Sequence, residues 1–207
     1  MADTRLRADA VRSRERIVEA AREALVRRGY DVALDEIARQ AGVGNATLYR
    51  HFPDRESLVR HVVLAVTDRL VARGRKVLDE EPDAFAAVRT FAFAAAEERV
   101  GALCSMLSGN LDPRDPEMRL ARSRLERLTG ELLFRAQRAG SLREGVESGD
   151  LLYALTLITR PLPDTGCAQV SGFAERHLQL LLDGMRAPAR SPLPGRGPTL
   201  EDFRCRA

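Results

Sequence analysis

Between Gly42 and Phe52 the chain reads GVGNATLYRHF, which sets Thr47, Tyr49, Arg50 and His51 beside a pair of glycines. Such side chains donate hydrogen bonds from short or planar groups, a chemistry open to phosphates, base edges, proton transfer or metals. Spacing separates these readings. A dinucleotide loop needs a third glycine or alanine and a preceding strand, but threonine stands at position 47 and no strand pattern comes before it. No Gly-Lys-Ser/Thr follows either. His51 and His61 are too far apart in sequence for an HxxxH pair, and His177 is remote, so no metal-ligand spacing exists. A lone Tyr or His without a paired acid or nucleophile is no general base. The expectation is no catalytic residue, no metal and no cofactor. Leu48 and Phe52, four apart, form a packing face. The opposite face then shows Asn45, Ala46, Thr47, Tyr49, Arg50 and His51 to solvent, donors suited to phosphates and base edges.

The elements that must position this face are helical. From Ser13 as N-cap, apolar residues fall at Ile17, Ala20, Ala21, Ala24 and Leu25, and Gly29 ends the helix. A second helix carries Leu34, Ile37, Ala38 and Ala41 and stops at Gly42. Gly42-Val43-Gly44 forms a tight turn, with a left-handed glycine and Val43 filling the corner, and a short third helix begins near Asn45. Helix, glycine turn and short second helix is the helix-turn-helix layout, whose second helix enters the major groove by its N-terminal residues. Small residues at Gly44 and Ala46 allow close approach to a duplex. Asp54 caps a long fourth helix bearing Leu58, Val62, Ala65, Val66 and Leu70.

Beyond Pro82, Asp83 caps a helix with Ala84, Val88, Phe91, Ala92 and Ala95, and a short apolar stretch spans Leu103 to Leu107. Asp115 and Pro116 open a long helix whose stripe is Met118, Ala121, Leu125, Leu128, Leu132 and Ala136, closed by Gly140. Residues 150–160 and 173–185 form two further helices, apolar around more than one face. The expected fold is all-α, about nine helices in total: a three-helix N-terminal helix-turn-helix domain over 1–53, then a larger helical domain over 54–186 whose two doubly apolar helices suit dimerisation. The Pro- and Gly-rich segment 187–207 is expected to be disordered.

Composition narrows the class. The 207 residues are 44% hydrophobic and 30% charged, as in a soluble globular protein. No apolar run reaches the roughly 20 residues of a membrane span, and the N-terminus lacks the apolar core of a secretory signal. Cys104, Cys167 and Cys205 are far apart and odd in number, which fits a reducing cytoplasm; Cys104 reads as an inert buried thiol. Net charge is only +3, and residues 1–60 hold 12 arginines against 10 acids, so any nucleic-acid reading rests on placement of charge.

The stretch "LDEIARQAGVGNATLYRHFPDRESLV" resembles the N-terminal domain of the TetR family of transcriptional regulators, whose signature runs IAxxAGVSxGTLYxHFxxKExL. Ile37-Ala38, Ala41-Gly42-Val43, Thr47-Leu48-Tyr49, His51-Phe52, Glu56 and Leu58 match it. Residues 115–155 resemble the ligand and dimer domain of an SbtR-like subgroup. Where the family often has serine this chain has Gly44, so the cap of the recognition helix is expected to move to Asn45. Arg55 replaces the family's lysine, keeping the charge and adding a fork for phosphate.

The resemblance implies a bacterial, cytoplasmic, homodimeric regulator of transcription, most often a repressor, released from a palindromic operator in double-stranded DNA by a small-molecule effector. A ligand-independent or architectural DNA-binding protein is the alternative. By resemblance Thr47, Tyr49, His51 and Arg55 contact phosphates, while Asn45, Ala46 and Arg50 face bases. Arg5, Arg7, Arg12 and Arg14 offer a minor-groove arm. The last two helices make the dimer interface, through Leu151, Leu155, Ile158, Phe173, His177, Leu180 and Leu181, with His177 as a hydrogen-bonded structural residue. An effector pocket is expected from Phe91, Met106, Leu107, Leu125, Leu128, Leu132, Tyr153 and Thr156, with Arg122 or Arg160 orienting an anion. Ordinary core is the competing reading of each of these stripes.

Overall fold

The computed structural model describes residues 2–107, 112, 114–160, 170–199 and 202, with side chains from residue 9 to 103, at 112, and over 114–160, 173–199 and 202. Among the described residues there are nine helices and no strand: α1 (Ala2–Arg28), α2 (Leu34–Gln40), α3 (Asn45–His51), α4 (Arg55–Glu80), α5 (Ala84–Glu97), α6 (Val100–Leu107), α7 (Pro116–Arg138), α8 (Ser148–Ile158) and α9 (Val170–Met185). No helix among them is long and apolar enough to cross a membrane.

The all-α reading holds, with one boundary far off. α1 begins at Ala2, not at Ser13. Ala, Arg and Leu dominate residues 2–12, Arg12 pairs with Asp9 one turn away, and no Gly or Pro interrupts before Gly29. Ser13 is a helix-interior residue because nothing before it stops the helix. The far end is as expected: the Gly29 N–H donates to Leu25 O at 2.8 Å, with φ at +85°.

Two compact units emerge, and they divide inside α4 at Val66/Thr67 rather than at residue 53. The first holds residues 1–66 and 106–112. In it α1 packs on α2 and α3. Ile17, Ala21, Leu25, Ile37, Leu48, Phe52, Leu58 and Val62 form its buried core. The first three turns of α4 belong to this core, which is why the boundary lies so late. The Asp54 carboxylate caps α4, accepting from Ser57 N at 2.7 Å.

The second unit holds residues 67–105 and 113–207. α5 is its centre, packed against α7, α8 and α9 and buried along most of its length. Asp83 caps α5 through Phe85 N and Ala86 N, and Asp115 caps α7 through Glu117 N and Met118 N. Arg135 on α7 closes the end of α4, donating to Leu78 O at 2.8 Å and Glu81 O at 2.5 Å.

Of the segment 187–207, expected to be disordered, residues 200, 201 and 203–207 lie outside the described residues. Residues 187–199 are ordered against the α7–α8 turn, starting with an antiparallel bridge between Leu142 and Arg186. Ala187 N donates to Ser141 O at 3.1 Å, and the Arg143 guanidinium reaches Ser191 O. One backbone hydrogen bond and the Arg143 guanidinium thus hold the start of this segment.

Candidate nucleic-acid interface

The turn between α2 and α3 is built by backbone geometry. Gly42 has φ +65°, and the two N–H groups after α2 turn back on it: Gly42 N to Arg39 O at 3.1 Å, Val43 N to Ala38 O at 3.0 Å. This paired closure satisfies the last carbonyls of α2 and needs the left-handed residue that glycine supplies. Val43 is half-buried at the corner. Gly44, extended at φ −74° and ψ 151°, is the N-cap of α3 and makes no side-chain cap bond. Asn45 is therefore the first helical residue and not the cap, and its side chain is not spent on capping.

Leu48 and Phe52 are fully buried and seat α3 against α1 and α2. The His61 and Phe52 rings pack edge-to-face with centroids 5.2 Å apart, while His61 Nδ1 lies 2.7 Å from Ser57 O. With that face fixed, Gly44, Asn45, Ala46, Tyr49 and Arg50 are exposed, and Thr47 and His51 are half-buried at the flanks. Arg50 Nη2 donates to Thr47 Oγ1 at 3.2 Å, which lays the guanidinium along the exposed face. The polar face expected of the recognition helix is thus brought together within two turns.

Arg55 has a different occupation. Its Nη1 donates to Tyr30 O at 2.5 Å and Val32 O at 2.6 Å, and its guanidinium lies 5.5 Å from the Tyr30 ring centroid. It clamps the α1–α2 turn, a task no sequence motif announces because its partners are backbone carbonyls.

The basic arm is not an arm. Arg12 and Arg14 lie on α1, where Arg12 pairs with Asp9 and Arg14 sits over the Phe52 ring at 5.7 Å. Arg5 and Arg7 are on the same helix, their side chains outside the described residues. Arg16 was overlooked: it is exposed on α1, and its Nη1 lies 3.9 Å from where a Cβ on Gly42 would stand. Its signal was the spacing of four from Arg12.

In the second unit the expected interface splits. Leu151 and Leu155 are wholly buried within the chain, against expectation. Ile158 and Leu181 are half-buried, and His177 is exposed with Nδ1 2.7 Å from Phe173 O. Phe173 and Leu180 are each 58% exposed on α9, and Leu157, not foreseen, is 52% exposed on α8. The sequence LLYALTLI is apolar on every side, so periodicity could not tell these faces apart.

The expected pocket residues differ in burial. Phe91, Leu128 and Leu132 are fully buried core. Phe91 and Leu128 close on Gly74 of α4, where an added Cβ would stand 2.4 Å from Leu128 Cδ2 and 3.1 Å from Phe91 Cδ2. Arg122, Leu125 and Thr156 are half-buried, Tyr153 and Arg160 exposed. The Met106 and Leu107 side chains lie outside the described residues, as do those of Cys104, Cys167 and Cys205. Two clefts, of about 570 and 480 Å³, flank the C-terminal segment beside the α7–α8 turn and the start of α8.

Residues 17–62 match the family described as bacterial regulatory proteins, tetR family. Residues 83–187 match the SbtR-like transcriptional regulator C-terminal domain. An HTH-type transcriptional regulator of Staphylococcus aureus is 30% identical over 76 residues, 36% of this chain and 41% of that protein. The match thus spans less than half the length of that curated relative. The crystal structure of a TetR transcription regulatory protein from Mycobacterium vanbaalenii is similar with TM-score 0.64 and 33% identity, over 87% of this chain and 99% of that one. A TetR transcriptional regulator from Streptomyces coelicolor aligns with TM-score 0.62 and 32% identity, over 85% of this chain and 99% of that one.

Proposed function

The chain belongs to the TetR family of bacterial transcriptional regulators, and from that premise we propose a homodimeric repressor, released from a palindromic operator by a small-molecule effector. The observation that carries the DNA-reading half is the exposed face of α3, held out by buried Leu48 and Phe52. Asn45, Ala46 and Arg50 face bases, with Thr47, Tyr49 and His51 on phosphates; Arg16 joins them as a basic group beside the turn.

The dimer reading draws on apolar side chains left at the surface of α8 and α9: Leu157, Phe173 and Leu180. Three large exposed apolar residues on two neighbouring helices suit a self-complementary two-fold contact. Two recognition helices then read half-sites one helical turn apart. For the effector, the second unit offers α5, α7 and the C-terminal half of α4 meeting at Gly74, where a ligand would part Phe91 from Leu128. Such a ligand must favour the DNA-incompetent state, and a coupling of about 1–3 kcal/mol would weaken operator binding roughly 5–150-fold.

The test starts from duplexes selected out of random DNA by the wild-type chain. Asn45→Ala should lose about 1–3 kcal/mol at particular base pairs, whereas Tyr49→Ala weakens selected and unrelated duplexes alike. An Asn45→Ala variant whose affinity falls equally across every operator substitution removes Asn45 from the base-reading set. Failure to select any sequence above background refutes the operator reading itself.

A further inference from the structure

After α9 ends at Met185 the chain does not leave the body but runs back to the first turn of α8. Its path begins at the α7–α8 turn, where Arg143 N donates to Met185 O at 3.0 Å and Ala187 N to Ser141 O at 3.1 Å. Arg143 adds its guanidinium, reaching Ser191 O and, at 3.4 Å, Gly184 O. Gln137 holds the same turn from α7, through Val146 O at 3.0 Å.

The far end of the path is a backbone-on-backbone contact. A Cβ placed on Gly149, in the first turn of α8, would stand 1.7 Å from Pro198 O and 2.5 Å from Pro198 C. Facing it, a Cβ on Gly197 would stand 2.5 Å from Glu147 Cγ and 2.7 Å from Asp150 Oδ2. Glu147 and Asp150 are the two partners of the capping box that opens α8. Two glycines, one on each side, make room for the segment to lie across that box.

The segment is also closed on itself. Both carboxylate oxygens of Asp202 take Arg196, Nη1 and Nη2 each at 2.9 Å, and Asp202 also accepts from Thr199 N at 2.8 Å. Arg196 beside it, with the Thr199 bonds, holds the Asp202 carboxyl far below the usual carboxylate range. Pro192, Pro194 and Pro198 limit the freedom that docking removes.

We propose that residues 186–199 are a strap seated in a glycine notch on α8, tying the end of α9 to the start of α8 and so setting the spacing of the two helices that form the dimer face. The role in dimerisation rests on the homodimer reading above. The docking itself does not.

The test uses the full chain with Gly149→Ala and Gly197→Ala, one from each side of the notch; the second lies outside any helix and leaves α8 its own sequence. Gly130→Ala, where an added Cβ meets nothing within 4 Å, is the control. Two quantities are read: tryptic cleavage after Arg190 and Arg196, and the dimer dissociation constant by sedimentation equilibrium. Both notch variants are expected to be cut about tenfold faster, and to dimerise about tenfold more weakly, than wild type, while Gly130→Ala matches wild type in both. Cleavage unchanged in both notch variants overturns the docking. Faster cleavage with an unchanged dissociation constant overturns the control of the dimer face. A wild-type chain that sediments as a monomer overturns the homodimer reading and the strap's role in it together, and is recognised before any variant is compared.

Discussion

Arg55 separates two accounts of one residue. If it clamps the α1–α2 turn, its removal destabilises the chain without DNA; if it serves as a phosphate contact, its removal acts only on DNA binding. The geometry sets the size. A charged donor to a carbonyl contributes about 1.5–3 kcal/mol, but here one nitrogen serves both Tyr30 O and Val32 O, so the pair counts as little more than one bond. Stacking over the Tyr30 ring adds about 0.5–1 kcal/mol. Arg55 is half-buried, and solvent screening reduces both contributions, which leaves about 2 kcal/mol for Arg55→Ala. In a chain of this size that lowers the melting temperature by about 4–8 °C. Arg55→Lys keeps the charge but loses the planar fork and the stack, and should fall between the two. Melts are followed by circular dichroism without DNA, and binding to a non-operator duplex is measured against salt. The clamp is refuted if Arg55→Ala melts with wild type while the slope of log K against log salt becomes shallower by about 1, the mark of one lost phosphate contact.

Gly42→Ala should cost about 1–2 kcal/mol, seen as a lower urea midpoint, because φ is +65° and no atom stands closer than 3.9 Å to the added Cβ; the penalty is backbone strain alone. Leu157→Glu or Leu180→Glu should convert the dimer to monomer in light scattering while leaving the melt of the monomer near its original temperature, since both side chains are more than half exposed. Asp83 has its carboxyl pulled below the ordinary value, first by the bond from Ala86 N, then by that from Phe85 N. A folded-state value below the unfolded one means that its stabilisation is complete above the ordinary carboxylate range and is lost as pH falls through the folded value. The urea midpoints of wild type and Asp83→Ala should therefore differ at neutral pH and converge in acid. A gap that widens on acidification contradicts this.

The parts of the structure legible from sequence are those with a local cause. Stripes at helical spacing located the core residues Ile17, Ala21 and Leu25 on α1 and Leu128, Leu132 and Ala136 on α7. Asp83, Asp115 and Gly29 announced helix ends because capping and left-handed glycine act within a few residues. The recognition face followed from Leu48 and Phe52, four apart and fully buried. What escaped has causes distant in sequence. Arg55 finds its acceptors at Tyr30 and Val32, and the strap is held by backbone groups and by Gly149, none of which leaves a trace in hydropathy.

The rotation of α8 shows why even a correctly located helix can be given the wrong face. At 100° per residue Leu151, Leu152, Leu155 and Ile158 fall within an arc of about 120°, and Leu157 stands apart from them. The choice is made by α5 and α7, which pack against α8. Gly101 N donates to the buried Thr159 hydroxyl at 2.7 Å, and a Cβ on Gly101 would stand 2.0 Å from Thr156 O and 2.6 Å from Arg160 N. The first turn of α6 therefore rests directly on the last turn of α8, along the side that carries Thr156 and Thr159. Residues 151 and 155 fall inward, where both are fully buried. Residues 153 and 157, about 200° further round at 100° per residue, face solvent. Packing against α5 and α7 thus decides which leucines of α8 are core and which are left exposed.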